Sequence, residues 1–102
     1  MKLFLISDNI DTLTGMRLAG IEGIVVHETF EVMEAIEEIL NDPEIGILLI
    51  TEKLGQLVPQ RISDIKLNYQ LPLIVEIPDR HGTNRSADSI TKYVREAIGL
   101  KL

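Results

Sequence analysis

The chain has 102 residues, a net charge of −6 and no cysteine. That length suits one domain with a core of its own, and the absence of thiols excludes disulfides, thiolate metal ligands and cysteine nucleophiles. Residues 1–78 hold five Lys/Arg against thirteen Asp/Glu, residues 79–102 hold five against three, and no cation stands between Arg17 and Lys53; a phosphate-neutralising surface for nucleic acid is therefore not expected.

Met1 to Ile6 opens like a secretory leader, but its apolar run stops at Ser7-Asp8-Asn9, short of the ~7 to 15 apolar residues of a leader core. No run approaches the ~20 residues of a membrane span, so a soluble, cytoplasmic chain is expected. Lys2 to Ser7 reads as a first strand leading into Ser7-Asp8-Asn9-Ile10-Asp11-Thr12, at the sheet edge where open α/β folds hold ligands. Asp8 and Asp11 are a candidate pair of Mg²⁺ ligands. In the plainer reading, which we prefer, Asp8, Asn9, Asp11 and Thr12 supply turn and N-cap oxygens to a following helix. The loop lacks the glycine and the cation of a phosphate cradle.

A first helix is expected over about 11–19, with Leu13, Met16 and Leu18 as its large apolar residues and Gly20 closing it in the left-handed conformation. Arg17 is its isolated cation, read from the residues alone as a surface ion pair. A short strand follows at Gly23 to His27. The second helix, about 30–41 with Thr29 as cap, carries Val32, Met33, Ile36, Ile39 and Leu40 on one stripe. Its other face is acidic through Glu31, Glu34, Glu37, Glu38, Asp42 and Glu44. This is either a solvated surface or one that meets a basic partner. Asp42-Pro43 ends the helix.

Ile45-Gly46-Ile47-Leu48-Leu49-Ile50-Thr51 has no polar face at all, the mark of a central strand with helices on both sides. A short helical turn follows, then a helix from Pro59 to about Leu67 with Val58, Ile62 and Ile65 inward. Leu71 to Ile77 is the fourth strand, and Pro72 belongs at its start or on an edge because proline has no ladder donor. Strand-like runs alternating with helix-period segments give an α/β domain with a parallel sheet. The stretch from Pro78 to Arg85 is an exposed connection. Beyond it Ser86 or Asp88 caps a last amphipathic helix whose Ile90, Tyr93, Val94, Ala97 and Ile98 share one face, ending at Gly99 with Leu100 and Leu102 in want of a surface to bury against.

No catalytic or cofactor-binding constellation accompanies this fold. A receiver domain would need an aspartate where Ile50-Thr51 stands and a lysine after a fifth strand, which is missing. No G-x-G-x-x-G or Walker sequence follows a strand, and His27 and His81 lack partners at ligand or catalytic spacing. An interaction protein without catalysis, metal or cofactor is expected.

Four segments then carry a likeness: Arg17-Leu18-Ala19-Gly20-Ile21-Glu22-Gly23, Ile47 to Glu52, Leu71 to Pro78 with Gly82 following, and Val94-Arg95-Glu96-Ala97-Ile98-Gly99. In this order and spacing the chain resembles the F subunits of V-type and archaeal A-type rotary ATPases and ATP synthases over essentially its whole length. The resemblance implies a Rossmann-like head of four parallel strands with flanking helices (residues 1–78), a hinge loop (79–85, with Pro78, Asp79 and Gly82) and a C-terminal helical segment (86–102). It also implies a central-stalk role without a catalytic group, and binding to the coiled-coil axle, the D subunit, inside the A/B hexamer. Proton or sodium movement would be coupled to ATP through that rotor, and the chain would be peripheral to the membrane through the complex. Candidate axle contacts are Ile90, Tyr93, Val94, Ala97, Ile98 and Arg17. Two other readings stay open: a receiver-like interaction domain without a phosphoacceptor, and a small enzyme or carrier using a metal at Asp8 and Asp11.

Overall fold

A computed structural model describes residues 1–78. Strands β1 (Lys2–Ser7), β2 (Glu22–Val25), β3 (Ile45–Thr51) and β4 (Leu73–Ile77) form one sheet in the order β2-β1-β3-β4, and each neighbouring pair is parallel. Helices α1 (Ile10–Leu18), α2 (Thr29–Leu40), α3 (Glu52–Gly55) and α4 (Pro59–Asn68) make the crossovers. The expected α/β, Rossmann-like parallel sheet is the observed fold.

The seven residues of β3 are all buried, paired with a strand on each side and packed into a core on each face. Leu48 and Ile50 point into a core with Ile6, Val32, Ile36, Ile62 and Ile65, beneath α2, α3 and α4. Ile47 and Leu49 point the other way, into a core with Leu5, Leu13 and Met16 beneath α1. Among the described residues α1 is the one helix on that second face.

The element ends are set by local chemistry. At the end of α1, Gly20 adopts φ +82°; its N–H reaches the Arg17 carbonyl at 2.9 Å, and that of Ile21 the Met16 carbonyl at 2.9 Å. This is the left-handed closure expected there. Several expected limits shift. The first helix begins at Ile10, and its inward face is Thr12, Leu13, Gly15 and Met16, while Leu18 is 79% exposed. The short strand spans Glu22–Val25, which leaves His27 outside it and exposed. The cap of α2 is Glu28 in place of Thr29, since the Glu31 carboxylate reaches back to accept the N–H groups of Glu28 at 3.0 Å and His27 at 3.1 Å. The fourth strand starts at Leu73, just after Pro72, which has no N–H to give to the ladder.

Candidate functional site

Parallel pairing brings the C-terminal ends of all four strands, at Ser7, Val25, Thr51 and Ile77, to one edge of the sheet. Open α/β folds bind their ligands at this edge, and here its side chains are tied to one another. The buried Ser7 hydroxyl accepts the Asn9 N–H and donates to the Asn9 carbonyl, both at 2.9 Å. That turn holds Asn9 as the cap of α1, its Oδ1 accepting from the N–H of Asp11 at 2.7 Å and of Thr12 at 3.3 Å. Of the four residues expected to cap this helix, Asn9 is the one whose side chain does so.

Asp8 takes a different part. Its side chain, 15% exposed, crosses from β1 to β3, where Oδ1 accepts the Thr51 hydroxyl at 2.8 Å and Oδ2 lies 3.9 Å from Lys53 Nζ. Thr51 is itself 3% exposed and stands where a receiver would keep its phosphoacceptor. Its hydroxyl is spent as a donor, and the Asp8 carboxylate accepts it at one of its two oxygens. Asp11 sits exposed in the first turn of α1, where a carboxylate complements the helix dipole. Among the described residues no three His, Asp or Glu side chains converge as metal ligands.

The structure separates the other expected residues. Arg17 is exposed in the last turn of α1. Since α1 runs back from the C-terminal edge of the sheet, Arg17 lies at the end of the head opposite to Pro78, which follows Ile77 at that edge. Arg17 and Pro78 are therefore not brought together. His27 contributes its backbone N–H to Glu31, with its ring outside any described cluster. Asp79, His81, Gly82, Ile90, Tyr93, Val94, Ala97 and Ile98 lie outside the described residues.

Two side-chain networks leave no mark in the sequence. One is the Asp8, Thr51 and Lys53 group just described. The other centres on Arg61 of α4, which grips both carboxylate oxygens of Glu37 on α2, Nε at 2.9 Å and NH2 at 3.1 Å, and also binds Asp64. The Tyr69 ring lies 5.8 Å from its guanidinium carbon. Hydrogen bonds donated to Glu37, then to Tyr69, hold the guanidinium pKa above its ordinary range. The Glu31 carboxyl is moved the other way, below the usual glutamate value, by the backbone N–H groups of Glu28 and His27.

Residues 3–94 match the family model described as the ATP synthase (F/14-kDa) subunit. The chain is 37% identical to the F subunit of the A-type ATP synthase of Pyrococcus furiosus, with 100% of this chain and 98% of that protein aligned. It is 32% identical to the protein of the same name from Methanocaldococcus jannaschii, over 100% and 99% of the two chains. Against that of Methanothermobacter thermautotrophicus it is 35% identical over 90% of this chain and 88% of the other.

Proposed function

The chain belongs to the family of the ATP synthase (F/14-kDa) subunit, and from that premise we propose that it is a non-catalytic central-stalk component of an A-type or V-type rotary ATPase or ATP synthase. The match over residues 3–94 carries this reading, because it spans the head and most of the tail together. The ligand edge supports the non-catalytic part: the Ser7 hydroxyl is bonded to Asn9 and the Thr51 hydroxyl to Asp8. Function then rests on surfaces that meet other proteins.

In this reading the head is residues 1–78, and the chain leaves it through Pro78 at the C-terminal edge of the sheet. Residues 79–85 are the hinge and 86–102 the segment that meets the coiled-coil axle, the D subunit, inside the A/B hexamer. Ile90, Tyr93, Val94, Ala97 and Ile98 are the contacts, each large apolar side chain contributing roughly 1.5 to 3 kcal/mol on burial, less the cost of ordering the segment. The chain stays peripheral to the membrane and takes part in ion transport through the complex alone.

Recovery of the tagged chain from detergent-solubilised membranes of its source tests the reading. Co-purification of a coiled-coil protein and two nucleotide-binding proteins, with ATPase activity in the same fraction, is the expected result. Recovery alone or with signalling proteins would remove the function and leave the fold.

A further inference from the structure

Helix α2 has two flanks, and they are treated differently. On one side Arg61 ties Glu37 to α4. On the other there is no neighbouring described helix. There α2, lying over β1 and β3, is the last helix among the described residues on its face of the sheet, and the edge strand β2 lies beyond it with Ile24 half-buried. The result is a groove along α2, made of two adjoining depressions of about 270 and 350 Å³ that share Ile24, Ala35 and Glu38.

The floor of the groove is apolar. Phe4 and Ile24 are half-buried in it, with Ala35 and Ile39 forming the α2 wall and Phe30, 68% exposed, at one end. Ala35 keeps that wall low, which lets a second helix approach to the ~8 to 10 Å typical of packed helices. The rim is acidic: Glu34 and Glu38 stand one turn apart on α2, and Asp42, just past the helix end, lines the same groove. Glu34 and Glu38 make no ion pair with any described residue, whereas Glu37 and Glu44 on other sides are matched by Arg61 and Lys2.

We propose that this groove is a docking site for a helix of another protein, apolar on the side that meets Phe4, Ile24 and Ile39 and carrying Lys or Arg opposite Glu34, Glu38 and Asp42. Charge complementarity selects that occupant. A second copy of this head, with five cations against thirteen acids, would bring more acid to an acidic rim. The chain's own tail, with five cations against three acids, is the rival occupant, and charge reversal within it tells the two apart. The site is separate from the tail contacts and does not depend on the rotor reading.

The test titrates the full chain with a designed helical peptide of about 18 residues, five turns long, with leucine on one face and lysine on the other, and follows backbone and methyl NMR signals. Binding is expected to move Ile24, Ala35 and Ile39. Glu34→Lys with Glu38→Lys should weaken it about tenfold, while Glu44→Lys with Glu52→Lys, an equal change in net charge, changes it less than about twofold. Equal weakening by both pairs, or shifts spread over the acidic surface, would overturn the proposal as unspecific attraction. Occupation of the groove before any peptide is added would overturn it too. A concentration-dependent dimer that shifts Ile24 would reveal a second copy there, and movement of Ile24 and Ala35 on Lys92→Glu with Arg95→Glu would reveal the tail.

Discussion

Thr51 at the end of β3 donates its hydroxyl to Asp8 at the end of β1, 2.8 Å apart and 43 positions separated in sequence. This one bond turns the ligand edge of an α/β sheet into an internal junction: it pins the two central strands together and satisfies a nearly buried hydroxyl. Thr51→Val keeps the shape and removes the donor. A loss of about 1.5 to 3 kcal/mol in chemical denaturation is expected, the range for a bond to a charged acceptor. A magnesium titration followed by NMR should leave Asp8 and Asp11 without localised shifts; saturable shifts at both would restore the metal reading.

Gly20 and Gly23 are required for different reasons, and alanine separates them. At Gly20 an added Cβ meets nothing within 4 Å, but φ is +82°, so Gly20→Ala should cost about 1 to 2 kcal/mol through backbone strain. Gly20→Asn should recover part of this, because asparagine tolerates that conformation. At Gly23 an added Cβ would lie 2.7 Å from both Cβ and the carbonyl oxygen of Leu5 on β1 and 3.0 Å from Leu13 Cδ1. Backbone on the facing strand cannot swing aside, so Gly23→Ala should cost about 2 kcal/mol or more, with no gain from asparagine.

How far the sequence reveals the molecule depends on how far apart the interacting residues are. The unbroken apolar run of β3 announces a doubly covered strand from seven consecutive residues, and Gly20 or Pro72 mark their turns by what their own backbones allow. Boundaries that hinge on a neighbouring choice are less legible: Glu31 reaches back past Thr29 and moves the start of α2, and Asn9 alone takes the capping role that four oxygens were competing for. Contacts between remote segments leave no local signal. Asp8 with Thr51, and Arg61 with Glu37 24 positions away, look like ordinary surface polarity until the sheet order places them together.

The Arg61–Glu37 pair is forked and partly exposed, with side-chain exposures of 23% and 51%. Its net worth is therefore set against solvent screening. A double-mutant cycle with Arg61→Met and Glu37→Gln should give a coupling of about 0.5 to 1 kcal/mol at low salt, shrinking as salt is added. Arg61→Lys should not restore it, since an ammonium cannot span both carboxylate oxygens and cannot stack on Tyr69 in the same way.

Glu31 gives the head an acid-side dependence whose direction follows from its lowered pKa. The folded state favours the ionised carboxylate, so its stabilisation is fully present above the unfolded glutamate value of about 4.3. It is lost as pH falls through the lower folded value. Melting temperatures measured down the acid limb should fall less steeply for Glu31→Gln than for the native chain, and the two curves should converge at the lowest pH. Parallel curves would mean that the carboxylate charge is not what the Glu28 and His27 N–H groups hold.

The tail contacts proposed for the axle can be separated from the stability of the head. Ile90→Asp with Val94→Asp places two charges on the apolar stripe of residues 86–98. If that stripe meets the coiled-coil axle, the double variant should bind it at least tenfold more weakly, each lost apolar contact being worth roughly 1.5 to 3 kcal/mol before ordering costs. Amide exchange at Leu48, Leu49 and Ile50, at the centre of the sheet, should remain as slow as in the native chain. Loss of that protection together with binding would show that the stripe belongs to the core of the head, and native binding by a folded double variant would place the axle contact elsewhere, with Arg17→Glu as the next substitution to measure.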